Sequence, residues 1–168
     1  RHAGSGLLGA VLQQQRVPCV MVDSDPAAGI PCINIDDEAG AYKIMSYVLR
    51  RGHREIAILS MEADYAGAGR IYTGLTRRRM NGYVRALDEI GLFIDQEHVR
   101  LFECQATIPA GYHTVIDLWR SAWRPTLIVA MADVLALGVL RALHELNVAI
   151  PASVSVVGYD DIRSSIVT

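Results

Sequence analysis

The chain has 168 residues, of which 51% are hydrophobic, and this length suits one domain with a packed core. Its formal charge of -2 excludes the basic excess of a nucleic-acid-binding domain. No apolar run approaches the roughly 18 residues that span a bilayer, and three cysteines without a C-x-x-C pair favour a reducing compartment. We therefore expect a cytoplasmic protein without a membrane contact, unless an export signal precedes Arg1.

The first predicted elements are a short helix over 7–14 and a strand over VPCVMVD, residues 17–23. The acids DDE at 36–38 then mark a helix N-terminus, and apolar residues at helical spacing follow until Gly52 stops the helix. The run EIAILS at 55–60 predicts a strand. The polar stretch 61–78 predicts a loop at its start.

Helices and strands alternate through the rest of the chain. The pattern predicts helices over 80–90, 111–119 and 133–146, and strands over 99–103, 126–130 and 154–159. Strands separated by single helices imply right-handed crossovers, so the predicted fold class is α/β, with a parallel sheet flanked by helices on both faces. The helix over 133–146 is apolar beyond one stripe, and the surplus packs either on a subunit partner or inside the domain.

Acidic residues follow three predicted strands. Asp23 ends the first, Asp133 follows LIVAMA, and Asp160 and Asp161 follow the last. Because ligands of open parallel sheets bind beyond the carboxyl ends of the strands, these carboxylates could accept hydrogen bonds from ligand hydroxyls or ring N–H groups. The alternatives are helix capping, which alone explains Asp133, a turn at Asp161, and ordinary solvation of Asp23 and Asp160.

Three consecutive arginines, 77–79, stand at the entrance to a predicted helix, where a cation opposes the helix dipole. Either they form a solvated basic face, or one of them grips a ligand oxygen through a bidentate fork. His53, after Gly52, is expected to serve the helix end. Since the sequence has no metal-ligand spacing, phosphate loop or nucleophile–base pair, we expect no metal, no cofactor and no catalysis.

Three segments carry a family resemblance: DDEAGAYKIMSYVLRRGHREIAIL, RRMNGYVRAL and RPTLIVAMADVLALGVLRALHELNVAIPASVSVVGYDDI. In this order they resemble the effector-binding core of the lactose-repressor (LacI/GalR) family of bacterial transcription regulators, from about Val17 to Ile162. The resemblance implies mostly one subdomain of a periplasmic-binding-protein-like (type I) fold. It divides the chain into a remnant of the N-terminal effector-binding subdomain, 1–35, and a C-terminal subdomain, 36–168, whose C-terminal end is incomplete.

Carried over position by position, the resemblance also implies an effector site. Arg79, in R-M-N-G-Y, is similar to the family arginine that reaches the effector. Asp160, the first acid of YDD, matches an acid that accepts hydrogen bonds from effector hydroxyls or ring nitrogens, and Asp161 is expected to fix the loop. Asp23 matches an acid on the opposite wall of the cleft, and Asp133 is the fourth candidate effector-binding residue.

The function that the resemblance implies is the effector-binding and dimerisation part of a DNA-binding regulator. Such a protein is a homodimer that senses a sugar or a purine-like molecule and meets operator DNA through a helix-turn-helix head, which is absent from this chain. Ala132 replaces a frequent asparagine and Ala106 a frequent stacking aromatic, and both departures weaken the assignment of a sugar. The alternative is a periplasmic-type sugar-binding receptor of a transporter.

Overall fold

A computed structural model describes residues 18–25, 30–66 and 69–163, so the predicted helix over 7–14 lies outside the described residues. Strands β1 (Met21–Val22) and β2 (Cys32–Ile33) pair in parallel and form a small sheet of their own. β1 occupies part of the strand predicted over 17–23. β2 was not predicted, because two residues are too short to show a period. Assignment of 1–35 and 36–168 to two subdomains stays a prediction.

The large sheet has four parallel strands in the spatial order β6-β3-β7-β8. They are β3 (Ile56–Met61), β6 (Val99–Cys104), β7 (Leu127–Ala130) and β8 (Ser155–Val157). A short antiparallel pair, β4 (Asp64–Ala66) and β5 (Gly69–Ile71), follows β3. The sequence predicted a loop there, since neither strand is long enough to show alternation.

Helices cover both faces of the large sheet. Helices α1 (Asp37–Arg50) and α2 (Gly74–Asp88) pack on one face, and α3 (Ile108–Arg120) and α4 (Asp133–Glu145) pack on the other. Each face of the sheet has its own hydrophobic core. Along β3, the fully buried Ile58 packs in the core under α1 and α2, and its neighbour Leu59 packs in the core under α3 and α4. Burying one such side chain contributes about 1.5–3 kcal/mol. The prediction of an α/β fold with helices on both faces is confirmed.

Two glycines allow the helices of each pair to touch through their backbones. An added Cβ at Gly82 would lie 2.3 Å from Glu38 O, between α2 and α1. At Gly138 it would lie 2.1 Å from Ile108 O, between α4 and α3. Both distances are far below van der Waals contact, so any larger residue at either position must push two helices apart.

Several element boundaries differ from the predictions, and three of them bear on the site or on helix capping. Helix α2 begins at Gly74 and not near 80, because its first N–H is satisfied by Asp25 Oδ2 at 3.0 Å, a tertiary contact that the local sequence does not show. Helix α3 begins at Ile108, where the Thr107 hydroxyl accepts from Ala110 N at 3.2 Å. Strand β8 ends at Val157, two residues earlier than predicted.

The first helix has the predicted N-terminus. Asp36 is its N-cap and accepts a hydrogen bond from Ala39 N at 3.0 Å. At the other end, the backbone N–H of His53 donates to Val48 O at 3.4 Å. The side chain that serves the free carbonyls is that of Arg54, whose Nη1 donates to Leu49 O at 2.9 Å. The His53 ring meets Thr126 Oγ1 at 3.0 Å and so ties the helix end to the start of β7.

Candidate functional site

A polar cluster beside the carboxyl ends of β7 and β8 has a buried carboxylate at its centre. The cluster consists of three arginines and four aspartates: Arg77, Arg78, Arg79, Asp23, Asp25, Asp37 and Asp160. Asp37, the first residue of α1, is fully buried. Its Oδ1 accepts from Arg79 Nε at 2.8 Å, and its Oδ2 accepts from Arg78 Nε at 3.0 Å and Arg78 Nη2 at 2.8 Å. Two consecutive arginines of α2 therefore share one buried partner on α1, and this pairing orients both guanidinium groups.

Arg79 is the most enclosed cation of the cluster, with 5% of its side chain exposed. Besides Asp37, it donates through Nη1 to Met131 O at 2.6 Å, just after β7, and through Nη2 to Asp160 Oδ1 at 2.7 Å, just after β8. Its guanidinium lies 3.8 Å from the ring centroid of Tyr159. Burial would lower the pKa of Arg79, but the hydrogen bonds with Asp37 and Asp160 outweigh it and raise the pKa.

Asp160 lies on a tightly turned loop. Its φ is 105° and that of Asp161 is 53°, in the left-handed region that disfavours most side chains, although aspartate tolerates part of it. The Asp160 side chain is 36% exposed and contacts Arg79 from the open side. The ion pair with Arg79 thus holds an otherwise unfavourable backbone conformation.

Asp133 lies behind this loop and holds it in place. The expectation that it caps α4 is wrong, because the N-cap is Ala132 and Asp133 is the first helical residue. Its Oδ2 accepts from Ile162 N at 2.9 Å, and its own N–H donates to Tyr159 O at 2.8 Å. With 8% of its surface exposed, it faces the loop more than the solvent, and its effector-binding role stays a prediction.

Replacing Asp133 by alanine is expected to lower the free energy of unfolding by about 2 kcal/mol, the usual contribution of a hydrogen bond to a charged group. The Ile162 N–H loses its acceptor, and the loop that carries Asp160 loosens. Urea unfolding followed by circular dichroism measures the change. Asp117→Ala, at an exposed carboxylate on α3, is the control and should change stability by less than about 1 kcal/mol. Equal losses of stability in the two variants would contradict the conclusion that Asp133 holds this loop in place.

The fourth candidate, Asp23, reaches the cluster from the small sheet. Its Oδ1 accepts from Arg78 Nη2 at 2.7 Å. Two residues on, Asp25 accepts from Arg77 Nη2 at 3.0 Å and from Gly74 N at 3.0 Å. Burial of Arg78 would lower its pKa, and the hydrogen bond with Asp37 outweighs it and raises the pKa. Asp23, Arg79 and Asp160 are therefore linked into one group through Arg78 and Asp37.

A second polar pair follows β5 and ends β6. The Tyr72 hydroxyl donates to Glu103 Oε1 at 2.8 Å. Burial and then this hydrogen bond raise the pKa of Tyr72 to about 12, so the phenol keeps its proton at neutral pH. Sequence analysis missed this pair, as well as Asp37 and Tyr159, because a lone acid or aromatic has no motif. The RRR run at 77–79 was the local signal that pointed to the cluster.

An open groove of about 860 Å³ lies away from this cluster, along β6 and α3. Its walls include Asp95, Glu97, Arg100 and Asp117. We place the candidate site at the arginine cluster, because that cluster lies beside the carboxyl ends of β7 and β8 and includes buried, oriented charges. Among the described residues, no group of three or more His, Cys, Asp or Glu side chains could hold a metal ion.

Comparison with known proteins identifies the family. The model of the periplasmic binding protein-like domain matches residues 45–167. The chain belongs to this family. It is 33% identical over 157 residues to the HTH-type transcriptional repressor PurR of Glaesserella parasuis, covering 93% of this chain and 43% of that relative. The PurR protein of Proteus mirabilis is 29% identical over 163 residues, with 95% and 44% covered. The chain thus spans less than half the length of these relatives.

Solved structures of the LacI family share the fold. A LacI transcriptional regulator from a Rhodococcus species is 30% identical with a TM-score of 0.76, covering 93% of this chain and 53% of that one. A LacI family regulator from Enterococcus faecium, solved with bound ribose, is 25% identical with a TM-score of 0.82, covering 98% and 57%. The resemblance to the lactose-repressor family is confirmed. No helix in the described parts of the chain is long and apolar enough to cross a membrane.

Proposed function

We propose that this chain is part of a DNA-binding transcription regulator, where it binds a small-molecule effector and contributes to a homodimer. The observation that carries the proposal is the linked group of Asp23, Arg79 and Asp160 beside the carboxyl ends of parallel strands. The relatives named as repressors and LacI regulators favour this function over a receptor of a transporter. A regulator of this kind acts on DNA, so we place it in the cytoplasm, and its operator contact lies in a helix-turn-helix head.

The charges of the cluster bear on the effector class. The ion pairs join four carboxylates, at 23, 25, 37 and 160, to three arginines, 77–79, which leaves one net negative charge. Asp23 is 50% exposed and Asp160 is 36% exposed, whereas Arg79 is 5% exposed. Arg77 is 52% exposed but is paired with Asp25, so a ligand that approaches between Asp23 and Asp160 meets carboxylate oxygens before the guanidinium of Arg79. We infer a neutral effector rich in hydrogen-bond donors, such as a purine-like base or a sugar, and not an anion.

The dimer part of the proposal concerns α4. Leu137 and Leu140 remain partly exposed on this helix and line a 190 Å³ pocket together with Ile150, which is 39% exposed. This arrangement supports the alternative that the apolar surplus of α4 packs on a subunit partner.

We propose binding without chemical turnover, because each arginine of the cluster is paired with a carboxylate that holds it in place.

The effector site is tested by a thermal-shift screen with purine bases, nucleosides and neutral sugars, followed by calorimetry on any ligand that raises the melting temperature. Asp160→Asn is expected to weaken binding at least tenfold, because the amide is a poorer acceptor and a poorer partner for Arg79. Asp117→Asn is the matched control on α3 and should bind as the original protein does. Unchanged affinity in Asp160→Asn would place the site elsewhere.

The regulatory part needs the complete gene product. Its affinity for operator DNA is expected to change when the ligand from the screen is added, since a ligand that binds the two conformations differently must shift their populations. A ligand that demonstrably binds but leaves the affinity for DNA unaltered would overturn the regulatory function and retain the binding site.

A further inference from the structure

Arg78 bridges two sheets that share no strand. Its Nε and Nη2 donate to Asp37 Oδ2 at 3.0 and 2.8 Å, and Nη2 also donates to Asp23 Oδ1 at 2.7 Å. Asp37 begins α1, which packs on the large sheet, and Asp23 directly follows β1 of the small sheet. One guanidinium therefore joins a fully buried anchor to a half-exposed acid on a separate layer.

In the part of the chain that the structure describes, the small sheet has little apolar contact to hold it in place. Val22 is 71% exposed and Ile33 is 64% exposed, so its strands bury few hydrophobic side chains within the described residues. Its polar contacts with α2 run from Asp23 to Arg78 and from Asp25 to Arg77 and Gly74 N. Asp25 Oδ1 also lies 3.7 Å from Arg78 Nη1. Among the described residues, directional ionic contacts rather than hydrophobic burial therefore hold the small sheet against the helix.

The two arginine contacts are unequal. Arg77 is 52% exposed and pairs with Asp25, which is 38% exposed, so solvent and salt screen this pair. Arg78 is 17% exposed, and its second partner, Asp37, is removed from solvent. The contact with Asp37 already holds the Arg78 guanidinium in one orientation. Arg78 therefore loses little additional side-chain entropy by pairing with Asp23 as well.

We propose that Arg78 is a positioning residue that holds Asp23 at the effector site by tying the small sheet to the buried Asp37. The consequence for ligand affinity rests on the proposed function, whereas the tie between the two sheets does not. An effector that donates a hydrogen bond to Asp23 meets a carboxylate that Arg78 already holds at a fixed place. Loss of Arg78 removes this restraint on the carboxylate. The chain then binds the same ligand at a site with one wall displaced.

The Gly74 N–H reports on the tie from its far side. It donates to Asp25 Oδ2 at 3.0 Å and is the first amide of α2, where no intrahelical acceptor is available. If the segment 23–25 moves away, this amide loses its acceptor and exchanges faster with solvent deuterium. The reporter is not itself altered by substitutions at 23 or 78.

The test is amide hydrogen exchange by NMR on the purified protein and on Asp23→Asn, Arg78→Met and the double variant. We expect the Gly74 amide to exchange about fivefold faster in each single variant, which corresponds to about 1 kcal/mol. The double variant should exchange no faster than Arg78→Met alone, because Arg78→Met already removes the contact with Asp23 together with the 3.7 Å ion pair between Arg78 and Asp25. Arg120→Met, which removes an exposed cation on α3, is the control and should leave Gly74 unchanged.

Unchanged exchange at Gly74 in Asp23→Asn overturns the tie, and this variant leaves the Arg78 contact with Asp37 in place should Arg78→Met fail to fold. Ligand affinity is then measured in Asp23→Asn and Arg78→Met with the compound found in the screen, and a loss of about tenfold is expected. Faster exchange with unaltered affinity overturns the positioning role and keeps the tie. If no compound binds even the original protein, the effector function fails and the exchange result still decides the tie.

Discussion

Replacing Asp37 by alanine is expected to lower the free energy of unfolding by about 3–5 kcal/mol, the range for removing one partner of a buried ion pair. Arg79, with 5% of its side chain exposed, would keep its charge but lose the buried one of its two carboxylate partners. Arg78 would lose both hydrogen bonds that it makes to Asp37. The carboxylates left to these two cations are then Asp160, Asp23 and Asp25, and all three are partly exposed.

The adjacent acid provides the control for this prediction. Asp36 is the N-cap of the same helix, and Asp36→Ala should lower the stability by about 1 kcal/mol through loss of the bond from Ala39 N. Urea unfolding followed by circular dichroism, with the m-value compared between variants, measures both effects. If Asp37→Ala lowers the free energy of unfolding no more than Asp36→Ala does, the buried ion pairs of Asp37 add no stability beyond that of a helix cap. The stabilising role assigned to Asp37 would then be refuted.

Gly138→Ala is expected to destabilise the protein by about 3 kcal/mol, at the upper end for overpacked cores. The new Cβ would lie 2.1 Å from Ile108 O and 2.6 Å from Tyr112 N. Both atoms belong to the backbone of α3, which cannot move without displacing the whole helix from α4. Alanine gains about 1 kcal/mol in helix propensity over glycine, and this gain is too small to offset the clash.

Gly40→Ala separates the steric effect from propensity. A Cβ at Gly40 would lie 2.3 Å from the Tyr159 hydroxyl, the end of a side chain that can shift, so we expect stability within about 1 kcal/mol of the original. Thermal unfolding of both variants shows the contrast as a shift in melting temperature several times larger for Gly138→Ala. Equal melting temperatures of Gly138→Ala and the original protein would mean that α3 and α4 separate freely.

The sequence predicted the fold well where burial alone decides the pattern. The runs IAIL and LIVA are apolar throughout because both faces of their strands are covered, and both lie in the large sheet. The start of α2 was placed too late, since the acceptor for Gly74 N is Asp25, about fifty residues away. A contact over that distance leaves no local sign in the chain.

Part of the polar cluster could be predicted from the sequence, while its role as an effector site stays a prediction. The strand-end rule and the family resemblance singled out Arg79 and Asp160, and the structure joins them at 2.7 Å. Asp37 was interpreted as a first-turn acid that favours the helix dipole, because nothing local distinguishes it from Asp36. Only the packing of α1 on α2 shows that one acid faces solvent and the other lies beneath two arginines.

The hydrogen bond from Asp133 N–H to Tyr159 O couples the start of α4 thermodynamically to the loop that carries Asp160. This bond and the one from Ile162 N to Asp133 Oδ2 join the first turn of α4 to the loop that carries Asp160. We therefore expect the two to move as one cooperative unit, in which a displacement of either changes the free energy of the other. Binding equilibria that share such a unit are reciprocal. Any partner that prefers one arrangement of α4 must alter the affinity for a ligand at Asp160 by the same factor by which that ligand alters the partner's affinity.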